Sequence, residues 1–178
     1  FVDMGYLADY LSNIVPQLQT LTLHAPFFSF SGIKGQGFEQ FSTCQLMGGI
    51  HAEGVDTFIE QLSLCKVLEL TWIIFKSEEN FEKTVSKLIQ LKSIKKVSLS
   101  MELNKVKKEK MIEGLTLLVT RMRANKIVVV LTNQKLTKNQ LDKLGDELMD
   151  RESKKNITVN FTQGSFHYVE KMIDIRVY

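Results

Sequence analysis

The stretch Lys96-Val97-Ser98-Leu99-Ser100-Met101-Glu102-Leu103 decides how this chain is read. Apolar residues alternate with polar ones, the period of a strand buried on one face only. Downstream, Met111, Leu115, Leu118 and Met122 recur at helical spacing with charged residues between them. A short polar turn, Ala124-Asn125, then leads into a second β-branched run, Lys126 to Leu131. Working outward, Val67 to Phe75 and Asn156 to Phe161 read as further strands. Phe81, Val85, Leu88 and Ile89 mark a helix before the quoted stretch, and Leu141, Leu144 and Leu148 mark one after it. Ser77 and Thr137 stand where the N-caps of these two helices are expected. Lys92-Ser93 and Ser153-Lys154-Lys155 supply the remaining short turns.

The spacing is regular. The first inward residues of the four strands are Leu68, Val97, Ile127 and Ile157, at steps of 29, 30 and 30 residues. A strand-helix unit recurring at a fixed step is a repeat signature. A doubly wound α/β fold would have more variable units and a glycine-rich phosphate loop, and no GxGxxG or GxxxxGK[ST] occurs. Leu18-x-x-Leu21-x-Leu23 and Phe41-x-x-Cys44-x-Leu46 repeat the spacing of Ile94-x-x-Val97-x-Leu99. From Leu21 to Cys44 is 23 residues and from Cys44 to Leu68 is 24, which leaves room only for a brief helical turn. Residues 24–43, with Pro26, Phe27, Phe28 and Phe30, form the irregular part.

The pattern Leu-x-x-Leu-x-Leu followed by Gly-x-x-x-Leu-x-x-x-Leu resembles a leucine-rich repeat of the ribonuclease-inhibitor type. Gly49-Ile50-His51-Ala52-Glu53-Gly54-Val55-Asp56-Thr57-Phe58-Ile59-Glu60-Gln61-Leu62 is the clearest copy, and Gly32-Ile33-Lys34-Gly35-Gln36-Gly37-Phe38 echoes it. The repeats are degenerate. Glu102 and Thr132 stand near the place of the family's loop asparagine, while Gly54, Gly114 and Gly145 keep a helical glycine. The resemblance implies one domain over residues 1–178, a right-handed β-α solenoid with a parallel sheet on its concave side and helices on its convex side. Gly5 to Leu11 resembles the helical half of a unit whose strand would precede Phe1. With Phe1 in place of Met, the sequence reads as a fragment of a longer chain. Gly164 to Tyr178 is expected to close the array with a helix from Phe166 and a short strand from Ile175 to Tyr178.

Composition sets the outer limits. In 178 residues, 44% are hydrophobic, 24% are charged and only two are proline, which argues against disorder and against a flexible tether between domains. A net charge of +3 is too small to announce a nucleic-acid partner. The longest apolar runs, such as Ile127 to Leu131, are too short to span a bilayer. Cys44 and Cys65 lie among apolar neighbours outside any CxxC pair, as expected of reduced core thiols in an intracellular, cytoplasmic protein. The lysines of the helices, Lys105 to Lys110 and Lys135 to Lys155, interleave with acidic residues and read as solvated faces.

Function follows from the alternation. If Leu68, Leu70, Val97, Leu99, Ile127, Val129, Ile157 and Val159 point inward, the intervening residues form a second surface. That surface holds Glu69 and Thr71, then Lys96, Ser98 and Ser100, then Lys126, Val128 and Val130, then Asn156, Thr158 and Asn160. Val128 and Val130 are its strongest candidates for a buried contact. These residues are the expected partner-binding set of a non-catalytic protein-protein interaction or scaffold module in a larger assembly. The resemblance also admits a sensing region of a nucleotide-binding receptor or GTPase regulator. No catalytic residue, cofactor or metal is expected. His24, His51 and His167 are scattered, and neither GxSxG nor HExxH occurs. His51 with Glu53 and Asp56 reads as a polar loop leading into a helix, and Trp72 as core packing. A polar pocket at the strand ends would point instead to an α/β enzyme.

Overall fold

The computed structural model describes residues 1–151 and 154–178, so Ser153 of the expected third turn lies outside the described residues. The chain runs β1 (Val2–Asp3), α1 (Met4–Ile14), β2 (Thr20–Ser29), β3 (Thr43–His51), α2 (Val55–Glu60), β4 (Val67–Ile74), α3 (Glu78–Ile89), β5 (Lys96–Glu102), α4 (Lys108–Arg121), β6 (Lys126–Thr132), α5 (Lys138–Met149), β7 (Asn156–Phe161), β8 (Gly164–Val169) and β9 (Met172–Val177). All nine strands form one sheet in strict sequence order. β1 to β7 pair in parallel, while β7-β8 and β8-β9 pair antiparallel. The fold is α/β with alternating strands and helices.

The periodic residues are register partners. Leu21 pairs with Cys44, Cys44 with Leu68, Leu68 with Val97, Val97 with Ile127, and Ile127 with Ile157. All six are buried, so the period in the sequence is the lateral step of the sheet. Leu70, Leu99, Val129 and Val159 form the next buried row, against Leu88 of α3, Leu115 and Leu118 of α4, and Leu141 and Leu144 of α5 in one core. Ser77 and Thr137 cap α3 and α5 by accepting the N–H of Asn80 and Gln140, and Gln140 completes a capping box. The helix surfaces pair charges of opposite sign, as Lys110 with Glu82 at 3.1 Å and Lys87 with Glu60 at 2.8 Å.

The amino-terminal strands depart from plain alternation. One residue separates Leu99 from Met101 in β5, two separate Leu70 from Ile73 in β4, three separate Leu46 from Ile50 in β3, and four separate Leu23 from Phe28 in β2. Each strand toward the amino terminus thus carries one more residue than its neighbour, a succession of β-bulges. The strand includes residues 24–29 of the region expected to be irregular, and 30–42 hold neither helix nor strand.

Three further expectations change. A two-residue strand, Val2–Asp3, already precedes the first helix and pairs with Phe28–Ser29. The carboxyl-terminal segment is a pair of antiparallel strands instead of a helix and a short strand. Its alternating Phe166 and Tyr168 are buried and continue the core row beside Val159 and Ile157. Lys155 is not a solvated cation either, because its ammonium donates to the carbonyls of Val119 (3.1 Å) and Met122 at the end of α4.

Candidate functional site

One face of the sheet packs on the helices. Among the described residues, no helix packs on the other, which we call the open face. The eleven expected partner-binding residues all lie on it: Lys96, Lys126 and Asn156 are exposed, and the others are half-buried. Register arranges them in rows. Lys96, Lys126 and Asn156 form one, Glu69, Ser98, Val128 and Thr158 a second, and Ser100, Val130 and Asn160 a third. Glu69, Lys96, Ser98, Lys126 and Val128 line one shallow hollow of about 290 Å³. Val130, Asn160 and Ser100 lie outside that hollow.

The second row extends in both directions as a polar ladder. Thr22 Oγ1 donates to Gln45 Oε1 at 3.1 Å, and Gln45 Nε2 donates to Glu69 Oε2 at 3.3 Å. At the far end Thr158 Oγ1 lies 3.2 Å from His167 Nδ1. Thr71 is committed to a bulge: its hydroxyl accepts the Gly48 N–H at 2.8 Å and sits 3.2 Å from the Gly48 carbonyl oxygen.

The bulges build a feature that sequence reasoning missed. Two residues between Leu70 and Ile73 shift the alternation, so Trp72 stands on the open face at 39% exposure and not in the core. Phe27, 38% exposed, reaches the same place from β2. The two rings lie 6.1 Å apart and meet above Gly49, where a Cβ would come within 2.7 Å of Phe27. His51 also stacks on Phe27, at 5.6 Å with the planes 12° apart. The Trp72 indole Nε1–H donates to Glu102 Oε2 at 3.0 Å, and Asn104 Nδ2 donates to the other Glu102 oxygen at 3.2 Å. The result is an exposed aromatic ledge, hydrogen-bonded at one end. The signal was available: Gly48-Gly49 in β3 and Pro26 in β2 are residues that mark bulges and close backbone approach.

Where the carboxyl ends of β2, β3 and β4 meet the start of α3 there is a second hollow, about 340 Å³, lined by Ser29, Ser31, His51, Glu53, Lys76 and Asn80 among others. His51 and Glu53 are thus brought together, while Asp56 sits in the first turn of α2 outside this lining. His24 is exposed on β2, far along the sheet from the half-buried His167 of β8. The cysteines are free and buried. Burial, reinforced by the neighbouring Cys65, holds the Cys44 thiol far above its ordinary range, and burial pushes Cys65 up to about 11. Neither is a thiolate nucleophile at neutral pH. Among the described residues no cluster of His, Cys, Asp or Glu could hold a metal ion, and no helix is long and apolar enough to cross a membrane. Compared with known proteins, the chain matches no family model, no curated protein and no solved structure.

Proposed function

We propose that this chain is a non-catalytic protein-binding module, a right-handed β-α solenoid similar to the ribonuclease-inhibitor type of leucine-rich repeat, that takes a protein partner on its open face. The observation that carries the reading is the exposed ledge of Phe27, His51 and Trp72 beside the rows of Glu69, Lys96, Ser98, Lys126 and Val128. Aromatic anchors ringed by polar and charged groups are the composition of an interface centre and its rim. The sequential strand order and the 29 to 30-residue register steps support the solenoid.

Photo-crosslinkers placed at Val128 and Trp72 test it against crosslinkers at Lys83 and Lys143 on the helices. The open-face probes should capture a discrete partner that the helix probes do not. Lys96→Glu with Lys126→Glu should lower that capture at unchanged melting temperature, and Trp72→Ala should lower it while circular dichroism shows the fold retained. Equal capture from both faces would sink the reading.

A second reading attaches to the polar hollow at the strand ends, where α/β proteins bind small ligands. A melting-temperature rise with a small polar ligand, lost in both His51→Ala and Lys76→Ala, would favour it.

A further inference from the structure

The two edges of the sheet are built differently. At the amino-terminal edge β1 covers only Phe28 and Ser29, and the rest of β2 carries Pro26 and a bulge. Proline and bulges are the usual protections against strand pairing. The opposite edge has neither. β9, Met172-Ile173-Asp174-Ile175-Arg176-Val177, pairs with β8 in an unbroken register from Val169↔Met172 to Gly164↔Val177. Among the described residues no strand pairs with its outer side.

The hydrogen-bond direction along β9 is fixed by its end. The Tyr178 N–H donates to the Gln163 carbonyl at 2.6 Å, in the same register. In an antiparallel pair, alternate residues turn both backbone groups to the same neighbour. Met172, Asp174 and Arg176 therefore bond β8, and Ile173, Ile175 and Val177 turn their N–H and C=O outward. The side chains alternate too. Ile173 and Ile175 lie opposite the buried Tyr168 and Phe166, on the helix face, whereas Asp174 and Arg176 lie opposite His167 and Ser165 on the open face. Asp174 and Arg176 form an ion pair of 3.1 Å, with their side chains 55% and 61% exposed.

We propose that β9 is a self-association edge, on which a second copy of this chain adds its own β9 antiparallel, with Ile175 opposite the second copy's Ile175. The sequence is self-complementary about that one residue. The two-fold register sets Asp174 opposite the second copy's Arg176, and Arg176 opposite the second copy's Asp174. It sets Ile173 opposite Val177 on the helix face, in both directions. The outward-turned residues then face one another as hydrogen-bonded pairs. The charged residues fall at the non-bonded positions, where the Cα atoms come within about 4.5 Å and side chains interact most strongly. Val177, 57% exposed on one chain, gains an apolar neighbour. An edge meant for an unrelated strand would need no such symmetry, and closed two-fold dimers are the common outcome of isologous contact. Pairing would join two open faces into one continuous sheet surface.

Sedimentation velocity on the 178-residue chain over about 5 to 500 µM, the span of a small interface, reads the association. The wild type should pass from monomer to dimer across it. Asp174→Arg alone and Arg176→Asp alone each place like charges opposite one another, and should weaken association at least about tenfold. An equimolar mixture of those two variants restores every charge pair and should dimerise. The double variant, Asp174→Arg with Arg176→Asp, should dimerise with itself and controls for loss of the ion pair within the strand. Circular dichroism and melting temperature confirm that each variant is folded. A wild type that stays monomeric throughout overturns the proposal, as do folded single variants that associate like the wild type or a folded mixture that fails to recover.

Discussion

The amino-terminal strands β2 to β4 and the later strands β5 to β7 share one sheet and one core but solve the packing problem differently. From β5 to β7 the units step by 30 residues, the register is unbroken, and helices of 14 and 12 residues cover the sheet. From β2 to β4 the steps shrink to 23 and 24, only the six-residue α2 lies between strands, and every junction has a bulge. Phenylalanine takes the place of the missing helical turns. Phe30, Phe38 and Phe41 of the loop are buried: Phe30 lies 4.8 Å and Phe38 5.0 Å from the Phe58 ring of α2, and Phe41 lies 6.2 Å from Phe38. The extra strand residues are displaced to the opposite side, where they carry Phe27 and Trp72 into solvent. The part of the sheet with the least helix cover thus carries the aromatic ledge on its open face.

The sharpest way to break this comparison is at Gly48. It has φ +153°, and a Cβ there would stand 1.8 Å from the Ala25 carbonyl oxygen, a backbone atom that cannot swing aside. Gly48→Ala should cost about 2–4 kcal/mol by forcing the bulges of β2 and β3 apart. Ser98→Ala, where β5 keeps an unbroken register with both β4 and β6, should stay within about 0.5 kcal/mol. Urea denaturation of both variants checks this, and equal losses would remove the distinction between the two regions. Fluorescence of Trp72, the single tryptophan, should shift in the Gly48 variant because the ledge rests on the same bulge.

The regular region was the legible one. Strand alternation and helix stripes both work there because each strand has helices on one side and an open face on the other, so Ser77, Thr137 and the row Leu68-Val97-Ile127-Ile157 sit where their spacing puts them. The open-face rows followed from the same alternation. Trp72 was misplaced because a single added residue reverses the side on which every following side chain falls. The end of the chain was misread for a local reason. The turn between β8 and β9 uses Glu170 and Lys171, at φ 48° and 66°, where a tight hairpin ordinarily announces itself with Asn-Gly or a similar pair. Lys155 looked like one more surface lysine because its partners are backbone carbonyls, which leave no mark in a sequence.

Lys155 sharpens the comparison from the regular side, where its half-buried cation lies against the end of α4. Burial, with the charge of Arg151 adding to it, pushes its pKa down to about 8. The sign is set by the unfolded chain, where a lysine titrates near its ordinary value. Below pH 8 both states hold the proton and the folded state bears the full cost of the charge. Between about 8 and 10.5 the folded state has released a proton that the unfolded state still binds, so stability rises with pH. Relative to Lys155→Met, the wild type should gain on the order of 1 kcal/mol between pH 7 and pH 9.5, allowing for partial solvent screening. Denaturation of the two proteins across that range reads the difference. A gap that is constant, or that widens against the wild type, contradicts the assignment.

The smallest effect tests whether the helices that cover the sheet are all equally well satisfied. Thr116 and Thr120 of α4 bond their hydroxyls back to Ile112 and Thr116 carbonyls at 2.8 and 2.6 Å. Thr84 of α3 is more deeply buried than either, yet among the described residues its hydroxyl has no partner. Valine has the same shape and a similar helix propensity, so each exchange isolates the hydroxyl. Thr84→Val removes a polar group that was stripped of water without compensation, and should stabilise by about 0.5–1 kcal/mol. Thr120→Val removes a made bond and should be neutral or destabilising by up to about 1 kcal/mol. The opposite signs matter more than the sizes. If both substitutions destabilise, the Thr84 hydroxyl has a partner, and α3, which bridges the bulged and regular regions, is as well satisfied as α4.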